Sequence, residues 1–504
     1  MQPRSLLTLL ALGVLACSAL LASRAPAAQN APAGRPNILF VIADDWSFGH
    51  ASVYGTKWVS TPAYDRIARE GVRFDNCFTS NPKCSPCRAS LLTGRNSWQT
   101  EEAVCHNGVF PAKWPVYPDL LEQAGYHVGF TGKGWGPGDF QAGGFKRNPA
   151  GPAYNQFRSP PPLRGVANVD YARNFEAFLG ARKQGQPFCF WLGGQEPHRA
   201  YEEGCGVRAG KRIADVTLPA YYPDNAAIKS DFLDYAVEVE WFDRHLGRAI
   251  EQLEKAGELD NTLILVTSDH GCPFPRVKGQ IYEHGFHLPL AVRWGKNIKA
   301  GRVVQDFINV RDYAPTFLEA AGLKAPETMT GRSFMEQLKS EKSGWIDAGR
   351  NRMVVGKERH DLGRPNDLGY PVRAIRTPEY LYVRNFHPDR WPVCDPETGY
   401  MNCDNSPTKT LLTSTFDEFY RLNFGKRPPE ELYRVSSDAD CVKNLAADPA
   451  MQSVKRELAA EMEALLRKDR DPRILGNGAI FDTYKYLGPR SHSYDNWLKF
   501  QGPG

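Results

Sequence analysis

The chain has 504 residues, of which 42% are hydrophobic and 12% aromatic, so it is long enough to enclose a large core. Its 62 lysines and arginines only slightly outnumber its 57 aspartates and glutamates, a balance that excludes a polycation built to bind nucleic acid. The basic residues are therefore expected to serve a local anionic ligand.

Residues 1–30 read as a secretory signal peptide. An arginine at position 4 precedes an apolar stretch over residues 6–21, and small residues follow at 25–28. The stretch of about sixteen residues is shorter than the roughly twenty that a membrane span needs, so we predict an exported protein, periplasmic or secreted. Val14, Leu15, Ala16 and Cys17 also resemble a bacterial lipoprotein box, which leaves a lipid anchor at Cys17 open.

Three continuous apolar runs each lead into polar residues. They cover residues 38–42, 188–192 and 262–267, and such runs are typical of parallel strands buried on both faces. Ligands of parallel sheets bind outside the carboxyl ends of the strands, so the polar residues that follow are expected to meet at one edge. Those residues are Asp44 and Asp45, His198, and Asp269 and His270.

Helical patterns separate the apolar runs and fit crossover helices. The patterns cover residues 61–70, 117–124 and 231–256, with apolar positions at three- and four-residue spacing. Near residue 345 the chain changes to loops and short β-like runs at 374–375 and 381–383, and an amphipathic helix follows at 451–468. We predict a signal peptide over 1–30, a catalytic domain over 35–345 and a smaller C-terminal subdomain over 346–504.

The most specific motif covers residues 84–95 and reads Cys-Ser-Pro-Cys-Arg-Ala-Ser-Leu-Leu-Thr-Gly-Arg. It resembles the signature of the type I sulfatases, in which a maturing enzyme oxidises the first cysteine, here Cys84, to formylglycine. The resemblance implies an α/β fold like that of alkaline phosphatase: a mostly parallel sheet flanked by helices, with a smaller C-terminal antiparallel-sheet subdomain. A metal-binding or redox pair of Cys84 and Cys87 is the alternative, but the second Cys pair of a four-cysteine zinc site is missing.

The resemblance also assigns residues around the sulfate. One hydroxyl of hydrated formylglycine would attack sulfur, and the other would expel sulfate as the aldehyde re-forms. Arg88 would hold this diol, Lys133 and Lys278 would bind sulfate oxygens, and His198 would protonate the leaving group. The family usually has histidine two positions after the first lysine, where this chain has Trp135. Indole does not shuttle protons near neutral pH, so we expect proton transfer to rely on His198 or another route.

The resemblance implies a metal site as well. Asp44, Asp45 and Asp269 would provide the hard oxygen ligands that Ca²⁺ prefers, and the formylglycine at position 84 would complete the site. His270 stands where many sulfatases have asparagine, and its softer imidazole leaves Mg²⁺ or Mn²⁺ open. Taken alone, the Asp pair could be a helix cap or turn and His270 an ordinary loop residue. The convergence of strand ends with the Cys84 motif favours the metal site.

Within the sulfatases, the chain most resembles the sulfamidases, or heparan N-sulfatases, over most of residues 37–450. The matching segments are 80–94, 267–275 and 360–373. This resemblance implies cleavage of the N–S bond of terminal N-sulfoglucosamine in heparan-type glycans, with His360, Asp361 and Arg373 as substrate contacts. Each of these three residues could instead belong to an ordinary salt bridge or turn.

Three other functions remain open: an exo-acting carbohydrate O-sulfatase, a phosphonate or phosphodiester hydrolase, and a sulfated-glycan binding protein without turnover. The expected partners are a sulfated glycan and the formylglycine-generating enzyme, and no nucleic acid is expected. Among the eleven cysteines, Cys394 and Cys403 are close enough in sequence to pair, but spacing does not determine disulfide connectivity.

Overall fold

The computed structural model describes residues 34–415 and 417–501, so the predicted signal peptide and Cys17 lie outside the described residues. Two sheets organise the fold. The larger sheet contains β1 (Asn37–Ala43), β2 (Val72–Phe78), β3 (His127–Gly132), β4 (Phe188–Gly193), β5 (Thr262–Ser268), β6 (His287–Arg293), β7 (Arg302–Val304) and β8 (Ile308–Asn309). The smaller sheet contains β9 (Met353–Lys357), β10 (Val372–Arg376), β11 (Leu381–Asn385) and β12 (Glu430–Tyr433).

The larger sheet is mostly parallel. Its strands lie in the order β3-β4-β1-β5-β6-β2-β7, and β8 pairs with β2. Strand β6 is antiparallel to both of its neighbours, and the other pairings are parallel. In the middle of the sheet, Ile38 of β1 pairs with Cys189 of β4 on one side and with Leu263 of β5 on the other. The carboxyl ends of these three strands therefore meet at one edge.

The central strands are continuous apolar runs because both faces of the sheet are covered. Every residue of β1, β4 and β5 is buried. Successive side chains of a strand point to opposite faces, so Leu39 and Val41 enter one apolar cluster, and Ile38, Phe40 and Ile42 enter another.

Helices cover both faces of the larger sheet, and a helix also packs on one face of the smaller sheet. They are α1 (Pro62–Glu70), α2 (Cys84–Thr93), α3 (Tyr117–Gln123), α4 (Tyr171–Ala181), α5 (Cys205–Arg208), α6 (Ala226–Lys255), α7 (Glu283–Phe286), α8 (Tyr313–Ala320), α9 (Met335–Lys339), α10 (Pro407–Thr415), α11 (Glu418–Phe424), α12 (Gln452–Lys468), α13 (Ile480–Thr483) and α14 (Tyr494–Phe500). Helix α6 begins earlier than its apolar periodicity predicted, because the Asn225 side chain caps it by accepting a hydrogen bond from the Ala227 N–H. Among the described residues, no helix is long and apolar enough to cross a membrane.

The smaller sheet is antiparallel throughout, in the order β12-β11-β10-β9. One of its faces joins an apolar cluster with Phe78 and Phe286 of the larger-sheet region, and the other packs against α12 through Met462 and Leu466. The predicted fold class, a mostly parallel sheet with a C-terminal antiparallel sheet, is confirmed. The domain bounds 35–345 and 346–504 stay a prediction.

Candidate active site

A cavity of about 590 Å³ opens at the carboxyl edge of the larger sheet. Residues far apart in sequence line it, among them Cys84, Lys133, His198, Lys278, Asp361 and Asp404. The structure thus brings the motif cysteine together with Lys133, His198 and Lys278, the three residues predicted to bind or protonate substrate.

Cys84 is the first residue of α2, and its local sequence explains how the helix is placed. Lys83 precedes α2 in an extended conformation, and Gly94 ends the helix in the left-handed region (φ 61°) that favours glycine. All ten residues of α2 are buried, so the helix forms a fixed floor beneath the cavity.

The Cys84 thiol lies between a carboxylate and an imidazole. Its Sγ is 3.5 Å from Asp44 Oδ1 and 3.3 Å from His270 Nε2. Burial raises the pKa of the thiol, and so does Asp44, but the positive charges of Lys133 and His270 outweigh them and hold it well below its usual range.

Arg88 ties the ends of three strands to α2. Its side chain is fully buried, and its Nε donates to Asp269 Oδ2 at 2.9 Å. Its Nη1 donates to the backbone carbonyls of Lys133 at 2.9 Å and Gly134 at 3.0 Å, while Nη2 lies 3.5 Å from Asp44 Oδ1. Lys133 also forms an ion pair with Asp44. Arg88 therefore fixes the carboxylates as well as neutralising them.

The predicted metal ligands occupy two neighbouring strand ends. Asp44 and Asp45 follow β1, and Asp269 and His270 follow β5. Asp45 adopts a left-handed backbone conformation (φ 76°), and its N–H donates a hydrogen bond to Asp269 Oδ1 at 3.2 Å. One ligand atom from each of Asp44, Cys84, Asp269 and His270 can be chosen so that all four lie within 4.8 Å of one another.

The donor set of this cluster fits a cation. His270 Nδ1 lies 3.0 Å from the Gly271 carbonyl, to which it can only donate, so the lone pair of the neutral ring is on Nε2. That Nε2 is 3.0 Å from Asp45 Oδ1, a buried oxygen that no described residue hydrogen-bonds. Two facing lone pairs at this distance need a positive charge between them, as a metal ion or a proton.

Two members of the cluster have raised pKa values, for different reasons. Burial lowers the pKa of His270, but Asp269 and Asp45 outweigh it and raise it to about 9. Burial raises the pKa of Asp269 to about 7. A divalent cation bound here would compete with protons for these groups.

Lys278 and His198 also line the cavity. Lys278 Nζ lies between two carboxylates, 2.7 Å from Asp45 Oδ2 and 2.7 Å from Asp404 Oδ2. His198 Nδ1 donates to the Arg199 carbonyl at 2.6 Å, which leaves Nε2 for another partner. A ring nitrogen of His198 lies within 4.8 Å of carboxylate oxygens of Asp45 and Asp404.

Trp135 occupies the position where histidine was expected and acts as a packing residue. The indole is buried, its Nε1 donates to the Ser85 carbonyl at 3.0 Å, and its ring centroid is 5.0 Å from that of Phe110. Trp135 therefore supports the first turn of α2.

Two cavity residues near Cys84 were not predicted from the sequence. The His106 side chain lines the same cavity as Cys84, and its Nδ1 lies 3.2 Å from Asp361 Oδ1. Lys83 Nζ donates to Asn402 Oδ1 at 2.8 Å and lies 3.5 Å from Asp361 Oδ2. His106 lies in a loop, where no apolar periodicity predicts its position. For Lys83, the only signal in the sequence is that it directly precedes the Cys84 motif.

The segment 360–373 is divided by the structure. Asp361 lines the cavity and pairs with Lys83 and His106. His360 is buried, with Nε2 2.7 Å from Asn81 Oδ1, and is not among the cavity-lining residues. Arg373 is also fully buried, and its guanidinium pairs with Asp471 and Glu358. The expectation that Arg373 contacts substrate is therefore corrected to a structural role, because no face of this guanidinium is open to the cavity.

The described cysteines are all free thiols. Cys394 and Cys403 do not form a disulfide, and neither do the other cysteines from Cys77 to Cys441. Cys403 lines the cavity beside Asp404.

Comparisons with known proteins identify the class. Residues 36–323 match the Sulfatase family, and residues 276–406 match the C-terminal region of the N-sulphoglucosamine sulphohydrolases. The chain therefore belongs to the sulfatase family of hydrolases, and it lies near the sulfamidases within that family. Sulfatases generally use a metal and formylglycine, and the cluster around Cys84 is a candidate site for both.

Individual relatives cover nearly the whole chain. The human N-sulphoglucosamine sulphohydrolase is 27% identical, in an alignment that covers 92% of this chain and 95% of the relative. An ulvan-active sulfatase of Formosa agariphila is 28% identical over 461 residues, which cover 88% of this chain and 82% of the relative. The solved structure of BT4656 in complex with its substrate D-glucosamine-2-N,6-O-disulfate shares the fold, with a TM-score of 0.61 at 22% identity, covering 87% of this chain and 98% of that one.

Proposed function

We propose that this sulfatase releases inorganic sulfate from terminal N-sulfoglucosamine of heparan-type glycans, with formylglycine formed from Cys84. The observation that carries the proposal is the position of Cys84, beneath a cavity that Lys133, His198 and Lys278 also line. The N-linked substrate is supported by the 27% identity to the human N-sulphoglucosamine sulphohydrolase over nearly its whole length.

A modified residue and a bound cation would supply part of the chemistry. Hydrated formylglycine at position 84 would provide one hydroxyl to attack sulfur and another to expel sulfate as the aldehyde re-forms. A divalent cation held by Asp44, Asp45, Asp269 and His270 would neutralise charge on the reacting oxygens. Three carboxylates favour Ca²⁺, and the imidazole also admits Mg²⁺ or Mn²⁺.

The chain's own residues bind the sulfonate group and move a proton. Lys133 and Lys278, both in the cavity wall, would pair with sulfonate oxygens and offset their negative charge. As the S–N bond breaks, the leaving nitrogen would take a proton from His198 Nε2, the ring nitrogen that the Arg199 carbonyl leaves open. Arg88 would keep the carboxylates and α2 in register throughout, through its bonds to Asp269 and the Lys133 carbonyl.

An exo-acting carbohydrate O-sulfatase is the second candidate. The N-acetylglucosamine-6-O-sulfatase of Bacteroides thetaiotaomicron is 28% identical to this chain, in an alignment that covers 73% of the chain and 82% of that relative. The same residues would act on an ester, with oxygen in place of nitrogen as the atom that His198 protonates.

We also infer that residues 1–30 direct export to the periplasm or the exterior, with a lipid anchor at Cys17 as the alternative. Maturation would then require a formylglycine-generating enzyme to reach Cys84.

Sulfate release tests the proposal. Protein with confirmed formylglycine is compared on N-sulfoglucosamine, glucosamine 6-O-sulfate and an aryl sulfate. Cys84→Ala is the inactive variant, and Cys189→Ala, which removes a buried thiol in β4, is the matched control. Preferential release from N-sulfoglucosamine, retained in the control and lost in Cys84→Ala, is the expected result. Release only from the 6-O-sulfate would favour the O-sulfatase, and no release from any of the three would overturn the proposal.

A further inference from the structure

Asp404 differs from the other carboxylate that lines the cavity. Its side chain is 27% exposed, against 9% for Asp361. Asp361 is fully engaged, since Oδ1 contacts His106 and Tyr486 and Oδ2 lies 3.5 Å from Lys83. In Asp404, Oδ2 accepts from Lys278, and Oδ1 receives no hydrogen bond from any described residue. Asp404 therefore retains an acceptor oxygen for a ligand.

The loop that carries Asp404 is held in place. Lys409 Nζ donates to the Cys403 carbonyl at 3.0 Å and to Asn405 Oδ1 at 3.1 Å. The Ser406 hydroxyl accepts a hydrogen bond from the Lys409 N–H at 3.0 Å, in the first turn of α10. The carboxylate is thus pre-organised, and binding a ligand would cost little ordering of this loop.

The position of Asp404 places it beside the leaving group. One of its carboxylate oxygens lies within 4.8 Å of a ring nitrogen of His198, the proposed proton donor. Both side chains line the same cavity, so they can contact the same bound molecule. The negative charge would repel a sulfonate, whereas the part of the substrate that departs carries N–H and O–H donors when it is an amino sugar.

We propose that Asp404 determines specificity by accepting a hydrogen bond from the leaving group, so that the site selects sulfated sugars whose leaving group carries N–H or O–H donors. The inference rests on the proposed function and deepens it. An amine leaving group gains most, because the product ammonium formed by S–N cleavage would pair with the carboxylate. An aryl sulfate offers no such donor and should not depend on Asp404.

Kinetics of Asp404→Asn test this assignment. The amide oxygen can still accept from Lys278, so the variant changes charge with little change in shape. We expect kcat/KM on N-sulfoglucosamine to fall about 10- to 100-fold, the worth of one charge-assisted hydrogen bond, while kcat/KM on the aryl sulfate changes less than about threefold. Asp224→Asn, at a side chain that is 84% exposed, is the matched control. An equal fall of kcat/KM on both substrates would mean that Asp404 only positions Lys278. An unchanged kcat/KM on both would mean that Asp404 contacts neither substrate. Either result overturns the proposal.

A binding experiment separates this inference from the proposed function. Calorimetry compares Cys84→Ala with Cys84→Ala/Asp404→Asn, using N-sulfoglucosamine and inorganic sulfate as ligands. The second substitution should weaken binding of the amino sugar about tenfold or more, and it should not weaken sulfate binding, because it removes a negative charge. If the wild type turns over nothing, the proposed function fails while this comparison still decides the role of Asp404. The inference would be overturned if Asp404→Asn weakened the binding of both ligands or of neither. It would also be overturned if Cys84→Ala did not bind N-sulfoglucosamine at all.

Discussion

Replacement of Arg373 by methionine should destabilise the protein without weakening substrate binding. Arg373 Nε and Nη2 donate to Asp471 at 2.6 and 3.0 Å, and Nη2 also donates to Glu358 at 2.8 Å. All three side chains are at most 1% exposed. In Arg373→Met, Glu358 would keep its ion pair with the Arg473 guanidinium. Asp471 would keep only the hydrogen bond from the backbone N–H of Arg473. Breaking such a buried pair costs about 3–5 kcal/mol.

Urea unfolding followed by circular dichroism measures this loss, together with the KM of the folded variant for N-sulfoglucosamine. The midpoint should fall clearly, and the KM should stay at the wild-type value. Arg212→Met removes an arginine whose side chain is 74% exposed, and its midpoint should not move. An unchanged midpoint for Arg373→Met, combined with a raised KM, would refute the structural role and restore Arg373 as a substrate contact.

Three further predictions concern the site. Chelation of divalent cations should lower the melting temperature and abolish sulfate release, and added Ca²⁺ should restore both. Asp269→Asn should weaken Ca²⁺ binding, measured by calorimetry, because an anionic ligand is lost. Trp135→Phe should cost at least about 0.5–1.5 kcal/mol in urea unfolding, because the hydrogen bond to the Ser85 carbonyl is lost and the phenyl ring is smaller than the indole. His106→Ala should reduce kcat on sugar and aryl sulfates alike, because His106 lines the cavity together with residue 84, which acts on both substrates.

Each of these predictions has a contrary outcome. A melting temperature indifferent to chelation would argue against a bound cation in the carboxylate cluster. Complete loss of turnover in folded Trp135→Phe would give the indole N–H a role in the reaction. Unchanged turnover in His106→Ala would mean that His106 lines the cavity without a role in the reaction.

The strand-end residues could be predicted from the sequence because their placement follows from general rules. Continuous apolar runs predict buried parallel strands, and such strands end at a shared edge, so Asp44, His198 and Asp269 had to converge. The order of the motif around Cys84 then indicated which chemistry that edge serves.

The rest of the site depends on contacts that no local pattern records. His106 and Asp404 lie in loops, where position is set by tertiary packing rather than by periodicity. The role of Arg373 depends on Asp471, which is 98 residues away in the chain, so its neighbours in sequence could not show that it points away from the cavity.

The central claim is that Cys84 becomes the formylglycine that releases sulfate. Mass measurement of the peptide containing Cys84 tests it most directly, because exchange of the thiol for the aldehyde lowers the mass by about 18 Da. We expect the converted fraction of different preparations to rise in proportion to their rate of sulfate release. Full activity in protein whose Cys84 remains a thiol, or complete conversion with no release from any sulfated substrate, would contradict the claim.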